Sequence, residues 1–340
     1  MIRHSFTDQL LHRFALQSRA FRRFCFTREC ERNGLKFEPQ RENLFVAGVA
    51  RSGSTALLNS LYASEAFAST CYRHMPFVMA PSLSKLVAAI PGKATNEIER
   101  RHGDGIRVDL DSPEALDGVF WSTYLHRDDD RATPHDPGEQ LLSRYAMFIE
   151  NLLLHSARNR YLSKMNQNIE LIPGLTRYFE NSLILLPFRD PLQQAASLLR
   201  QHHNFTHVSS YETRYLRWLG HHEFGATHTG FNESPAQTPS KHSIDGLDYW
   251  LEQWQNAYSY LSRLVDRHAN LLPLCYERLA ASPDAWRELA QRIGIDISGD
   301  LFSNHNNPGI ESTAAFDVAL LDSCRILYAR LGEQARERSC

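Results

Sequence analysis

Lysine is scarce in this chain of 340 residues: Lys36, Lys85, Lys93, Lys164 and Lys241 are all there are, so nearly all of its 37 cations are arginine. Arginine is the planar, permanently charged fork that suits phosphate and carboxylate. A positive surplus is missing too. The 37 Lys plus Arg face 39 Asp plus Glu, a net charge of −2, which excludes a general nucleic-acid groove, where cations must neutralise a run of phosphates. No apolar run reaches the ~18 residues of a membrane span, and arginines interrupt MIRHSFTDQLLHRFALQSRAFRRF where a signal peptide needs unbroken apolar sequence. The six cysteines (Cys25, Cys30, Cys71, Cys275, Cys324, Cys340) form no CxxC pair and no close framework. They read as reduced thiols, not zinc ligands or disulfides. These absences predict a soluble, cytoplasmic protein.

What is present is a chain with 42% apolar and 11% aromatic residues, enough for one large α/β domain or two small ones. Residues 1–42 read as a basic helical segment: up to Arg41 they hold nine cations against four acids, leaving the rest acidic. Leu10, Leu11, Phe14, Phe21, Phe24 and Cys25 recur at helical spacing. That predicts an amphipathic helix packed on the body with a solvated face, and offers a peripheral contact with a membrane surface or acidic partner. From residue 43 to about 300, apolar strands alternate with helical patterns. Strands are expected at 43–50, 68–72, 160–163, 182–188 and 270–275, and helices at 139–159, 171–179 and 247–267, which implies a parallel sheet covered on both faces. The stretch 75–138, rich in Gly, Pro and charge and tipped by HRDDDRATPHDPGEQ, reads as a lid or acceptor-binding insertion. Residues 301–340 complete the chain as a loop and helix.

Gly48-Val-Ala-Arg-Ser-Gly53-Ser54-Thr55 has the glycine spacing of a phosphate-binding P-loop, between an apolar strand and a helix. Backbone amides and the helix N-terminus there would cradle a phosphate. The lysine of an ATP or GTP hydrolase is missing: Ser54 takes its place, and Arg51 puts a cation inside the loop. Farther on, Arg189 ends an apolar strand and Ser197 follows two helical turns later, so both can reach one phosphate.

VARSGSTALLNSLY followed by FRDPLQQAASLL resembles the paired nucleotide signatures of sulfotransferases that use 3'-phosphoadenosine 5'-phosphosulfate (PAPS), above all bacterial members with an RSGTT-type loop. RHGDGIRVDLDSPEAL and YRHMPFVMAP look like that group as well, and the resemblance covers about residues 43–295. It implies a P-loop NTPase-like parallel sheet flanked by helices, and sulfuryl transfer from PAPS to a hydroxyl of a glycan, glycolipid or small metabolite, with no obligatory metal. By resemblance Arg51, Ser52, Gly53, Ser54 and Thr55 hold the 5'-phosphosulfate, Arg189 and Ser197 the 3'-phosphate, and Tyr276 of YERL approaches the adenine. Lys164 stands where cytosolic members carry the lysine of a KTH motif, but its histidine falls on Asn166. The general base is therefore sought elsewhere: His74 first, then His102, Asp104 or Glu114. The basic RKG clamp of cytosolic members is absent from SNHNNPGI, so either Arg189 and Ser197 do more or a histidine such as His305 helps.

Two rival readings stay open, a P-loop kinase-like phosphotransferase and a catalytically silent nucleotide-binding scaffold. The crowd His202, His203, His207, His221, His222 and His228, with Glu223 beside it, meets no fixed zinc spacing and reads as surface or acceptor-facing histidines. Trp250 and Trp254, four apart, read as core.

Overall fold

A computed structural model describes residues 6–34, 41–88, 98–99, 107–125, 131–132, 134–234, 236–296 and 315–339. Its central sheet has five parallel strands, β1 (Leu44–Val46), β2 (Phe67–Ala68), β3 (Arg160–Lys164), β4 (Leu183–Phe188) and β5 (Leu271–Cys275), in the order β2-β3-β1-β4-β5. Four fall where an apolar run predicts a strand; β2 is only Phe67–Ala68, at the start of the expected 68–72, and Tyr72 already belongs to a short 3-10 helix, Tyr72–His74. Around the sheet lie α1 (Phe6–Gln17), α2 (Arg19–Asn33), α3 (Ser54–Ala63), α4 (Pro81–Ala88), α5 (Asp117–Tyr124), α6 (Glu139–Leu154), α7 (Asn168–Tyr178), α8 (Pro191–Thr206), α9 (Ser210–Leu219), α10 (Leu247–Val265), α11 (Tyr276–Ala281), α12 (Pro283–Ile293) and α13 (Val318–Ser339).

The strands are continuous apolar runs because both faces are covered. Phe45, Ile184 and Leu186 face one core, with Trp250, Trp254 and Tyr258 of α10. Their neighbours Leu44, Val46 and Leu185 face the other, with Leu57 and Leu61 of α3 and Trp286 and Leu289 of α12. Fully burying one such aliphatic or aromatic side chain is worth roughly 1.5–3 kcal/mol. Trp250 and Trp254 are 2% and 0% exposed, as the core reading expects.

Register decides what emerges at the carboxyl edge. Val46 pairs with Lys164 on one side and Leu185 on the other, so the phosphate loop leaves the sheet level with Lys164. Phe188 pairs with Cys275, so Arg189 and Tyr276 leave together. The chain runs from β1 outward to β2, returns through β3 and crosses to β4, which places the reversal of strand order at β1, where open α/β sheets bind ligands.

Two further expectations change. The basic N-terminal segment is not one helix: Ser18 accepts the Phe21 N–H at 3.2 Å and starts a second helix. Both helices pack on the body. Arg22 is buried, donating to Ser122 Oγ at 3.0 Å and Val119 O at 3.3 Å, and burial lowers its pKa to about 10. His12 meets the Tyr215 hydroxyl at 3.1 Å. The stretch after His74 is also more than a cover, since Val119 and Phe120 of α5 are 0% exposed inside the main core.

Candidate functional site at the carboxyl edge of the sheet

The phosphate loop turns tightly enough to force unusual backbone on two residues. Arg51 has φ 67° and Gly53 φ 87°. A side chain at Gly53 would also strike the Tyr276 ring, 2.3 Å from an ideal Cβ, so glycine is required there twice over. The helix that follows opens at Gly53 without a side-chain cap, as α5, α6, α7, α10 and α11 also do. N–H groups at such an uncapped helix start can receive an anion.

Arg51 reaches across to the second segment: its Nε donates to Ser197 Oγ at 3.0 Å. Gln194, one turn before Ser197 on α8, donates to Ala50 O at 2.9 Å and accepts from Trp254 Nε1 at 3.0 Å, tying loop, α8 and α10 together. Arg189 is buried, its guanidinium 5.1 Å from the centroid of the Tyr276 ring and its Nη2 2.9 Å from Gln193 Oε1. Desolvation lowers its pKa, and Tyr276, Glu277 and Asp190 act the other way. Asp190 does not pair off the arginine charge by itself; its carboxylate accepts the Gln193 N–H at 2.9 Å and caps α8. Tyr276 is 8% exposed, wedged between Gly53 and Arg189. Ser52 is fully buried, and Ser54 and Thr55 begin α3.

On the other side of β1, Lys164 ends β3 among charged groups that sequence spacing does not bring together. Asn166 Nδ2 donates to Glu223 Oε1 at 2.8 Å, and His221 Nδ1 stands 3.6 Å from Glu223 Oε2. Burial alone would favour a neutral Glu223, yet His221, Asn166 and the Lys164 charge hold it ionised, far below the usual carboxylate range. For His221, desolvation pulls the pKa down, but Glu223 and Glu114 outweigh it and the net shift is upward. Glu114 belongs to this neighbourhood, accepting the Tyr72 hydroxyl at 2.5 Å. Directly beneath, Asp117 is enclosed and accepts hydrogen bonds from Ser163 at 2.6 Å, Tyr145 at 2.5 Å and Tyr161 at 2.7 Å.

His74 does not join this group. Its Nδ1 accepts the Cys71 N–H at 2.9 Å, and the charges around it are Arg73, His155 and Lys85. Burial is the main reason that its pKa is lowered to about 4. The geometry makes it a brace of the turn at Cys71, with one ring nitrogen already committed. His102, Asp104 and His305 lie outside the described residues.

The histidine crowd divides by role. His202 Nδ1 accepts the Gly225 N–H at 3.2 Å, and His228 Nδ1 donates to Glu223 O at 2.7 Å while its Nε2 accepts from the Tyr249 hydroxyl at 2.8 Å. His202, buried, and His228, half-buried, both pin the segment after α9, and His203 is a surface residue near Asp245. Among the described residues no cluster of His, Cys, Asp and Glu could hold a metal ion, and no helix is long and apolar enough to cross a membrane. The feature that motif reading passes over is Glu223 as a partner of Asn166. Its sequence signal was only an acid beside a histidine pair.

Residues 43–298 match the model of the sulfotransferase family. No curated protein matches the sequence. Two solved structures share the fold at 14% identity: sulfotransferase STF1 from Mycobacterium tuberculosis H37Rv, with a TM-score of 0.51 over 97% of this chain and 87% of that one, and sulfotransferase STF9 from Mycobacterium avium, with 0.52 over 98% and 86%.

Proposed function

The chain belongs to the sulfotransferase family, and on that footing we propose that it moves a sulfuryl group from PAPS to a hydroxyl of an acceptor such as a glycan, glycolipid or small metabolite. The observation that carries this reading is the 3.0 Å hydrogen bond from Arg51 to Ser197, which joins the phosphate loop to the segment of Arg189. A nucleotide with phosphates at both ends of its ribose needs two anion sites within one ribose of each other. One is the uncapped start of α3 with Ser52, Gly53, Ser54 and Thr55; the other is Arg189 with Ser197. Arg51 stands between them.

The residues fit the donor chemistry in this proposal. The sulfuryl group carries less charge than a phosphoryl group, so arginine and lysine can stabilise the leaving phosphate without a metal. Arg51 stays protonated throughout and acts as a fixed charge, not a proton donor. Lys164, level with the loop across β1, supplies the second charge at the bond that breaks. Tyr276 walls the nucleotide site beside Gly53. Ser54 in place of the P-loop lysine argues against the phosphotransferase reading.

Calorimetry with 3'-phosphoadenosine 5'-phosphate (PAP) tests it. We expect PAP to bind without magnesium and Arg51→Ala to weaken binding by at least about 100-fold, the scale of a lost charge-assisted contact. The fold should survive, because alanine bears the same Cβ in the left-handed backbone. Tight ATP·Mg binding with no PAP binding would replace this reading with a phosphotransferase.

A further inference from the structure

Beside the phosphate loop, on the side of α7, α8 and α10, lies an open cleft whose wall takes in Gly48, Val49 and Ala50 of the loop and Leu198 of the second signature. Val49, Ala50, Ile169, Leu198, Phe231 and Trp250 give it mainly carbon walls. Glu223 and Asn166 also line it, next to where β1 and β3 end. The Glu223 side chain is only 16% exposed, its carbonyl accepts from His228 Nδ1, and the N–H of Gly225, two residues on, is held by His202. A carboxylate so fixed, ionised and adjacent to Lys164 is costly to build, and Asn166 and His221 hold it at the wall of the cleft.

We propose that this cleft is the acceptor site, that Glu223 takes the proton of the acceptor hydroxyl, and that the acceptor is an alcohol carried on an apolar body. The proposal rests on the sulfuryl-transfer reading above. In the step, the acceptor O–H bond breaks and its proton passes to a Glu223 oxygen. The acceptor oxygen forms a bond to sulfur. The bond between sulfur and the bridging oxygen breaks, and its electron pair stays on the 5'-phosphate, where Arg51 and Lys164 balance it. Glu223 is a weak base at rest, but the hydroxyl proton becomes strongly acidic only as the O–S bond forms, so a weak, well-placed base suffices. Asn166, which stands where a histidine base is otherwise expected, positions the carboxylate instead. The acceptor class follows from the walls: most of the exposed wall is carbon and suits an apolar body, while Asn166, Glu223 and the few further polar residues, such as Thr229 and Gln253, suit a single hydroxyl better than the many of a bare sugar.

The test follows labelled sulfate from PAPS into two probe acceptors, 1-octanol and p-nitrophenol, alongside PAP calorimetry. Wild-type protein is expected to sulfate 1-octanol. Glu223→Gln should keep PAP affinity within about twofold and lower octanol transfer at least 100-fold. It should lower p-nitrophenol transfer far less, since that phenol loses its proton by itself near neutral pH and needs little help from a base. Thr229→Trp, at the rim of the cleft, should raise the octanol KM at least tenfold with PAP affinity unchanged. Failure to bind PAP sinks the sulfuryl-transfer reading itself. PAP binding without octanol transfer overturns the apolar acceptor, octanol transfer by Glu223→Gln within threefold of wild type overturns the base, and an unchanged KM in Thr229→Trp overturns the cleft.

Discussion

Asp117 is 1% exposed with four hydroxyl groups donating to it, those of Ser163, Tyr145, Tyr161 and Thr70, and no cation among those partners. Desolvation raises its pKa, and the hydrogen bonds from Ser163, Tyr145 and Tyr161 partly oppose this. Its value lies in satisfying four hydroxyl donors at once, including Ser163, the residue before Lys164. Replacing Asp117 with Ala leaves those hydroxyls unpaired around a small cavity, and we expect a loss of about 3–5 kcal/mol in urea unfolding. A loss below about 1 kcal/mol would mean that water replaces the carboxylate at no cost. The residue scale also separates what a motif can and cannot reveal. Arg51, Arg189 and Ser197 are legible because loop spacing and helical periodicity are local. Glu223 is not, because its partner Asn166 lies 57 residues away and the two meet only after three helices and a strand have packed. His74 illustrates the reverse: a histidine in a plausible position whose ring the backbone of Cys71 has already engaged.

Elements hold Glu223 in place through a close helix contact. Gly118 in the first turn of α5 lies against the end of α9, where an ideal Cβ would stand 2.1 Å from Leu219 O. Gly220, at φ 79°, ends α9 and turns the chain toward His221 and Glu223. Gln167 fastens the same corner by donating to Gly220 O. Backbone lies on both sides of the contact, so no side chain can yield. Gly118→Ala should therefore shift the segment of residues 220–229, cost about 1–3 kcal/mol, and lower sulfate transfer while PAP affinity is retained. Thermal unfolding together with PAP calorimetry checks it; unchanged stability would show that the two helices separate freely. Helix α5 itself was hidden in a segment that reads as loop, because its hydrophobic residues surround it instead of forming one stripe, the pattern of a helix buried in the core. The break between α1 and α2 was hidden by a helical spacing that runs on through Ser18.

Across the whole molecule, buried histidines couple stability to pH. Burial lowers both His74 and His228 to about 4, against about 6.5 for a free imidazole. Between those values the unfolded chain binds protons that the folded chain refuses, so stability is complete above about pH 6.5 and falls as pH drops toward 4. Each group contributes no more than about 3 kcal/mol over that window. His221 and Asp117, whose pKa values are raised, act in the opposite direction. We expect the melting temperature to fall on acidification from pH 6.5 to 4, and His228→Gln to flatten that slope. A slope identical to wild type would remove His228 from the account.

The sequence alone determined the parallel sheet, the glycine-spaced loop at the end of β1 and the arginines, Arg51 and Arg189, that follow two of its strands. Those features are written in runs of apolar residues and in spacings of a few positions, and chain connectivity preserves them however the rest packs. Tertiary structure alone decided which groups share the carboxyl edge: Lys164 with Asn166, Glu223 and His221, but not His74. That outcome depends on register between distant strands and on two helices approaching to glycine distance, and neither leaves a periodic trace in the chain.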